Sequence, residues 1–472
     1  MKTDAPPLST DRCSRARLSR DVRFDGLFFV AVKTTGIFCR PICPAPAPKE
    51  SNVQYFSSAL EASQAGFRPC LRCRPEAAPG SPAWRGTGTT LARAVRLIDE
   101  GAWCEQSLSE FSERLGVSDR YLRKLFQDEL GLSPLRYLNF RRVLLAKQLL
   151  QQSSLAIGDI AIASGFGSVR RFNAAFNQLM GMAPREVRRS GGSDEMKMGG
   201  EGALLFLCYR PPYDWSWLQR FLAQRAIEGL EQVTDDSYRR TIQIGNARGA
   251  FVVTHCAERH GFRVQLWLDR PELTAAAIAQ VRRILDLDAD RDTIANHLGN
   301  CPALAPRVSK GLPLPGIWSP FEAGVRAILG QQVSVLAARQ LVEKLVSELG
   351  EPLNDSERLF PAPGKVASSS LSFLRMPNSR RETLRDFAAY LANGGEEDPN
   401  KWLALKGIGP WTVDYVRMRM GDPDIWLASD LGVRKGLELL AGEPDPEQWR
   451  PWSSYASLQM WRLLEQDCGE KS

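Results

Sequence analysis

The sequence predicts a multidomain chain, mainly α with α+β parts. Three observations carry that reading. Two close pairs of cysteines lie within the first 80 residues, and a helix–turn–helix pattern occurs twice between residues 108 and 184. A Gly-x-Gly turn at Gly407–Gly409 sits among helical segments, with Asp430 about twenty residues beyond it. A chain of 472 residues accommodates about three or four domains on the usual ratio.

Composition narrows the class. Hydrophobic residues make up 43% and charged residues 24%, which suits core-forming domains. No apolar run reaches membrane-spanning length, and the N-terminal MKTDAPPLST has no apolar signal core. The expected setting is the cytoplasm, without a membrane partner. In that reducing compartment ten cysteines argue against a disulfide framework. The net charge of +7 is uneven: residues 1–84 carry +5, residues 85–190 carry +6 and the remainder −4. Electrostatic attraction for nucleic acid therefore concentrates in the N-terminal part.

Residues 1–80 form the first domain. Phe28–Val32 reads as a strand, followed by TTGIFCRPIC and AGFRPCLRC. Cys39 and Cys43 form C-x3-C, Cys70 and Cys73 form C-x2-C, and 26 residues separate the pairs. Short pairs chelate tightly and the long gap carries the intervening fold, so the set suits a tetrahedral Zn(Cys)4 site. A purely structural zinc site is the rival reading. The two cysteine segments resemble the N-terminal domain of the Ada family of methyl-acceptor proteins. The resemblance implies one Zn2+ that is both structural and activating. It makes Cys39 ligand and nucleophile together, a suicidal methyltransferase that takes a methyl group from a DNA methylphosphotriester. Arg40 and Arg68, with Lys49 and Arg72, are its candidate phosphate contacts.

Residues 81–190 begin within a linker-like PGSPAWRGTGTT. Residues 108–134 and 157–184 repeat each other: Gly116 matches Gly165, Ser118 matches Ser168, Phe126 matches Phe176, and Pro134 matches Pro184. Each copy reads as helix, glycine turn and serine-capped helix. Arg141–Leu150 is the expected connecting helix. Arg120, Arg123, Lys124, Arg170 and Arg171 fall on the second helices, where they could meet phosphates or base edges. A solvated helical bundle is the bland alternative. GFGSVRRFNAAFNQLMGMAPREVR is similar to the AraC family of transcription regulators. That family implies an activator that reads two major-groove segments of promoter DNA about one turn apart and works with RNA polymerase.

Gly-rich residues 191–202 form a second linker. Residues 203–312 read as an α+β domain: a strand from Leu204 to Tyr209, a helix over Trp215–Ala226, strand pieces at Ser237–Ile244, Ala250–Thr254 and Phe262–Leu268, and a helix over Leu273–Leu285. Residues 313–472 read as helical. Trp402, Leu403 and Leu405 approach the Gly407-Ile408-Gly409 turn, and Pro410 opens a helix through Met420. Free N–H groups at such a helix start can hold a phosphate without reading a base. Asp430 precedes a further helix, Leu431–Leu440. As a bare pattern this carboxylate is a helix cap, a position that also fixes a catalytic group.

LKGIGPWT followed by LASD resembles the helix-hairpin-helix-Gly/Pro-Asp superfamily of DNA glycosylases. YRPPYDWSWLQRFLAQRA, FEAGVRAILGQQVS, LKGIGPWTVDY and SYASLQMW are similar to the AlkA type of DNA-3-methyladenine glycosylase II. The resemblance implies a monomeric, monofunctional enzyme that flips an alkylated base from duplex DNA and hydrolyses its N-glycosidic bond. It makes Asp430 the catalytic carboxylate and Phe221, Trp411, Tyr415 and Trp461 the pocket lining. Core packing is the competing reading of each aromatic. Gln332 falls where the family has a wedge leucine. Gly407 and Gly409 contact the DNA backbone, with a monovalent cation at the hairpin carbonyls. Trp411 stands where lyase-competent relatives have a lysine, so no Schiff-base step is expected. No PCHR-like motif occurs, which argues against O6-alkylguanine repair. The rival is a transcription regulator whose glycosylase half is a non-catalytic DNA anchor.

Overall fold

The computed structural model describes residues 9–21, 24–70, 72, 73, 75, 90–99, 103, 107–153, 155–190, 202–442 and 444–470. Most of both expected linkers and Cys104 lie outside them. The chain divides into two compact units. One holds Met1–Arg210, Cys256–Val281 and Leu287–Ala289, and the other Pro211–His255, Arg282–Asp286 and Asp290–Ser472.

The first part of the chain runs α1 (Thr10–Leu18), β1 (Phe29–Val32), β2 (Ile37–Cys39), β3 (Val53–Phe56), α2 (Ala59–Gln64) and β4 (Arg68–Pro69). The strands form one sheet in the order β3-β1-β2-β4. Alternation along β1 gives each face its own core. Phe29 and Ala31 meet Phe38 and Ala62, whereas Phe28 and Val30 meet Val53, Cys13 and Ala16. β2 pairs in parallel with β4, Phe38 opposite Pro69. The next residue on each strand is a cysteine, so this register brings Cys39 beside Cys70.

The helical part runs α3 (Thr90–Asp99), α4 (Leu108–Arg114), α5 (Asp119–Leu130), α6 (Pro134–Gln152), α7 (Ile157–Ala163), α8 (Val169–Met180) and α9 (Pro184–Ser190). Ser118 and Ser168 cap α5 and α8, accepting from Tyr121 N and Arg171 N at 3.3 Å each. Both helices end on left-handed glycines, Gly131 and Gly181. Leu122 and Phe126 of the first copy, and Phe172 and Phe176 of the second, are fully buried. The connecting helix α6 is longer than its apolar core Arg141–Leu150. Ser133 and Pro134 start it about two turns earlier, a signal that periodicity alone did not weigh.

The remaining elements are β5 (Ala203–Cys208), α10 (Trp215–Ala223), β6 (Glu231–Val233), β7 (Ser237–Ile244), β8 (Ala247–Cys256), β9 (Gly261–Leu268) and α11 (Thr274–Ile284). They continue with α12 (Arg291–Leu298), α13 (Pro320–Gly330), α14 (Val335–Leu349), α15 (Pro363–Ser368) and α16 (Asn378–Ala392). Last come α17 (Pro410–Arg419), α18 (Leu431–Glu438) and α19 (Ser453–Glu470). In the first unit β5 and β9 pair antiparallel, and α6 reaches β5 through Gln148, which donates to Phe206 O at 3.0 Å.

In the second unit β6, β7 and β8 form an antiparallel meander. Its helical core joins Phe321 and Ile328 of α13, Val342 and Leu345 of α14, Leu384 and Phe387 of α16, and Trp402, Val413 and Val416. Beside it lies a buried ion network absent from the sequence reading. Arg326 bonds Glu231 at 2.7 Å and Glu322 at 2.8 Å, and Arg240 bonds both acids. Mutual pairing removes the cost of burying any of these charges alone. It also fixes α13 against β6 and β7. The approach to the glycine turn is a 3-10 helix, Pro399–Ala404, rather than an α-helix. Pro399 opens it, and Trp402, fully buried, anchors it.

Candidate active site and metal centre

The second unit brings Asp430 together with the four expected aromatics, Phe221, Trp411, Tyr415 and Trp461. Asp430 stands at the N-cap of α18, where Oδ1 accepts from Val433 N at 3.0 Å. The same oxygen accepts from Trp461 Nε1 at 2.9 Å, and Oδ2 accepts from Trp411 Nε1 at 3.2 Å. One carboxylate is thus held by a cap amide and two indoles. The catalytic and capping readings of Asp430 describe one geometry. Trp411 and Tyr415, one turn apart on α17, stack at 5.3 Å, and Phe221 of α10 lies nearly parallel to Trp461 of α19 at 6.2 Å. Trp411, Tyr415 and Trp461 are partly exposed, whereas Phe221 is buried. Trp411 and Tyr415 also pack against the helical core.

Sequence reasoning missed two arginines in this cluster. The Arg225 guanidinium lies 3.7 Å from the centre of the Phe221 ring, and burial lowers its pKa to about 10. Arg419, which is buried, donates to Pro315 O at 2.7 Å and to the Tyr415 hydroxyl at 2.6 Å. It sits 5.0 Å from the Phe221 ring. Their spacing was readable, Arg225 four residues after Phe221 and just past the end of α10, and Arg419 four after Tyr415 on one face of α17. Nothing in the sequence said that the two faces meet.

The hairpin glycines are accessible. Gly407 is exposed with φ +86, Gly409 is partly exposed, and Pro410 begins α17. Gln332 is exposed between α13 and α14 with φ +56, a conformation a residue with a side chain rarely adopts.

In the first unit the four expected ligands converge: the Sγ atoms of Cys39, Cys43, Cys70 and Cys73 all lie within 4.8 Å of one another. Arg40 N donates to Cys73 Sγ at 3.2 Å and Arg72 N to Cys70 Sγ at 3.3 Å. Bonds among the sulfurs, those to Cys39 first, hold the Cys70 thiol far below its ordinary range, and Cys43 is lowered in the same way. Cys39 is raised, chiefly through Cys43, and burial raises Cys73. Four sulfurs this close cannot all carry negative charge without a cation among them. The donor set, its spacing and its N–H···S bonds fit zinc. Cys39 and Cys43 are the partly exposed pair, whereas Cys70 and Cys73 are buried. Cys13 is buried and raised by desolvation, a poor nucleophile.

Arg40 does not offer a phosphate contact. It is 6% exposed, pairs with Asp25 and donates to Cys73 O at 3.2 Å. It stands next to Cys39 in sequence, just past the end of β2, but its side chain is buried. Arg68 is partly exposed, and Arg120, Arg123, Lys124, Arg170 and Arg171 are all exposed. Lys147 of α6 is fully buried and donates to Cys70 O at 2.7 Å, so the connecting helix touches the cysteine cluster directly.

Comparison with known proteins accounts for this combination. The family profile of the metal binding domain of Ada matches residues 12–76, a helix-turn-helix domain profile matches residues 111–190, and the AlkA N-terminal domain profile matches residues 204–319. The probable bifunctional transcriptional activator/DNA repair enzyme AlkA of Mycobacterium tuberculosis is 37% identical over 96% of both chains. The chain belongs to this bifunctional AlkA family. Shorter relatives resemble its parts. DNA-3-methyladenine glycosylase 2 of Escherichia coli is 34% identical, covering 54% of this chain and 95% of that one. The bifunctional transcriptional activator/DNA repair enzyme Ada of E. coli is 32% identical over 39% of this chain and 50% of that one. This chain thus joins a part similar to that glycosylase with a part similar to about half of Ada.

In this AlkA-family chain Gly407 has no room for a side chain. A Cβ there would lie 2.1 Å from Thr383 Oγ1, and the left-handed backbone would be strained besides. Gly407→Ala should cost about 1–3 kcal/mol of stability. It should also weaken duplex binding several-fold by displacing the turn. Thermal melts and fluorescence anisotropy check the two effects.

Proposed function

We propose that the second unit hydrolyses the N-glycosidic bond of alkylated purines such as 3-methyladenine in duplex DNA. The observation that carries this is the Asp430 carboxylate, held by Trp411 and Trp461 N–H groups at the edge of a partly open aromatic cluster. Gly407, Gly409 and the start of α17 grip a backbone phosphate, with a monovalent cation at the hairpin carbonyls. Gln332 fills the gap left by the flipped base. A purine alkylated at N3 or N7 is cationic and departs readily, so little acid assistance is needed. Asp430 stabilises the positive charge growing on the sugar and orients or deprotonates the attacking water. The indole bonds leave that carboxylate one geometry to adopt. Trp411 occupies the place of a lyase lysine, which supports a monofunctional enzyme.

The first unit acts as a sensor and an activator in this reading. Cys39 Sγ attacks the methyl carbon of a DNA methylphosphotriester; an S–C bond forms, the C–O bond breaks, and the phosphate leaves as an ordinary diester anion. Zinc, when bound by Cys39, Cys43, Cys70 and Cys73, keeps the sulfur deprotonated at neutral pH. Methylation removes one negative charge from the site, which lowers its repulsion of DNA. α5 and α8 then engage promoter DNA through Arg120, Arg123, Lys124, Arg170 and Arg171, for a cytoplasmic monomer that recruits RNA polymerase.

Incubation of the full chain with a duplex carrying one 3-methyladenine or hypoxanthine tests the catalytic part. Free base should appear, and the strand should break only after alkali treatment. If no base is released, the second unit is a DNA anchor. If strands break without alkali, the enzyme is a lyase.

A further inference from the structure

Gln331 has no part in the pocket or the hairpin as described, yet it holds both to the loop between α13 and α14. The chain leaves α13 after Gly330. Gln331 turns out at φ −60, ψ 123, and Gln332 then takes its left-handed conformation. Ser334 caps α14 and closes the loop. Around the apex Val333, Val335 and Leu336 stand 37%, 44% and 56% exposed, so few of the loop's own side chains pack beneath it. The Gln331 side chain points the other way. Its Nε2 donates to Gly407 O at 3.1 Å and to Thr412 Oγ1 at 3.2 Å.

Each partner belongs to a different part of the machinery. Gly407 is the left-handed glycine of the turn. Thr412, 2% exposed, lies on α17 beside Trp411, whose indole holds Asp430. One amide group therefore joins the exposed apex, the phosphate-binding turn and the helix that orients the carboxylate.

We propose that Gln331 is a positioning residue that makes gripping the DNA backbone and inserting Gln332 a single rigid-body event. The inference rests on the glycosylase reading of the site. With the tie in place, engagement of a phosphate by the turn places the apex at a fixed depth beside the flipped nucleotide. Without it, the apex must be ordered separately each time a base swings out.

Gln331→Glu tests this with almost no change of shape. At neutral pH the carboxylate cannot donate to Gly407 O and faces that oxygen as a like dipole. Two readouts are needed: single-turnover base release, and the fluorescence of 2-aminopurine beside the lesion, which reports flipping. The fluorescence is read in the Asp430→Asn background, so that it does not depend on chemistry. On a fully paired lesion, Gln331→Glu should slow release and reduce the flipped population about tenfold, the scale of one lost bond with a polar group left facing another. On the same lesion in single-stranded DNA, where there is no gap to fill, it should release base at nearly the wild-type rate. Wild-type behaviour on the paired lesion would overturn the proposal, as would an equal loss on both substrates, the mark of a general packing defect. Gln331→Ala, which removes the tie without adding charge, should show the same substrate dependence. Should the wild type flip the lesion but release no base, the glycosylase reading fails while the fluorescence still decides the role of Gln331.

Discussion

Asp430→Asn should lower the rate of base release about a hundred- to a thousandfold, while leaving duplex affinity and folding nearly intact. The magnitude is that of removing preorganised charge stabilisation from a site where charge develops in the transition state. The stability forecast follows from the cap. Asparagine caps helices about as well as aspartate, and its Oδ1 can keep the bonds from Val433 N and Trp461 Nε1. The other oxygen becomes an amide that faces the Trp411 N–H, donor against donor. The variant thus loses the negative charge and also one of the two indole contacts that orient the group. Single-turnover assays on a 3-methyladenine duplex, with thermal melts and binding isotherms alongside, separate these effects. A variant that releases base at more than a tenth of the wild-type rate would mean that Asp430 is only a cap.

The second large effect concerns the cysteine cluster. Cys39→Ser should abolish methyl transfer from methylphosphotriester DNA, because a neutral hydroxyl is no substitute for a thiolate nucleophile. The wild-type chain should gain about 14 Da on Cys39, the mass of one methylene, by thiol alkylation. Cys70→Ala should do more. Cys70 is buried, and its sulfur takes the Arg72 N–H. Structural zinc in small domains contributes an apparent 10–16 kcal/mol or so near neutral pH, well above the stability of a sheet with two short-stranded faces. Loss of one buried ligand should therefore unfold residues 9–75 together with the metal site, seen as stoichiometric zinc release and loss of the β-sheet signal. Zinc retention at wild-type affinity in Cys70→Ala would refute a four-cysteine site. A chain in which Cys39→Ser still gains the adduct would move the acceptor to Cys43, the other partly exposed thiol.

The sequence was legible where chemistry and short-range geometry coincide. Two cysteine pairs, three and four positions apart, suit chelation in a reducing compartment. A glycine at the tight turn and a serine ahead of each recognition helix are demands of the backbone, and both copies of the repeat met them. The strands Ser237–Ile244 and Phe262–Leu268 were found by alternation, because each buries one face. The helix expected to run to Ala226 stops at Ala223, and α6 outruns its apolar centre at both ends. Ends depend on caps and on tertiary packing, which periodicity does not record.

Arg40 marks the limit of residue-type reasoning. A guanidinium next to a cysteine expected to be reactive looks like a phosphate hook, yet the fold buries it against Asp25. By itself the sequence determined the four cysteines that cluster, the repeated helix pairs, the glycine turn and the cap position of Asp430. These are properties of residues close together in the chain or of single irreplaceable side chains. Only the tertiary structure decided that two indoles from α17 and α19 grip Asp430, that Arg225 and Arg419 share the Phe221 ring, and that Gln331 reaches the turn across 76 residues. Such contacts join side chains whose separation in sequence carries no information about their distance in space. They exist because helices pack, and packing is settled by the whole core at once.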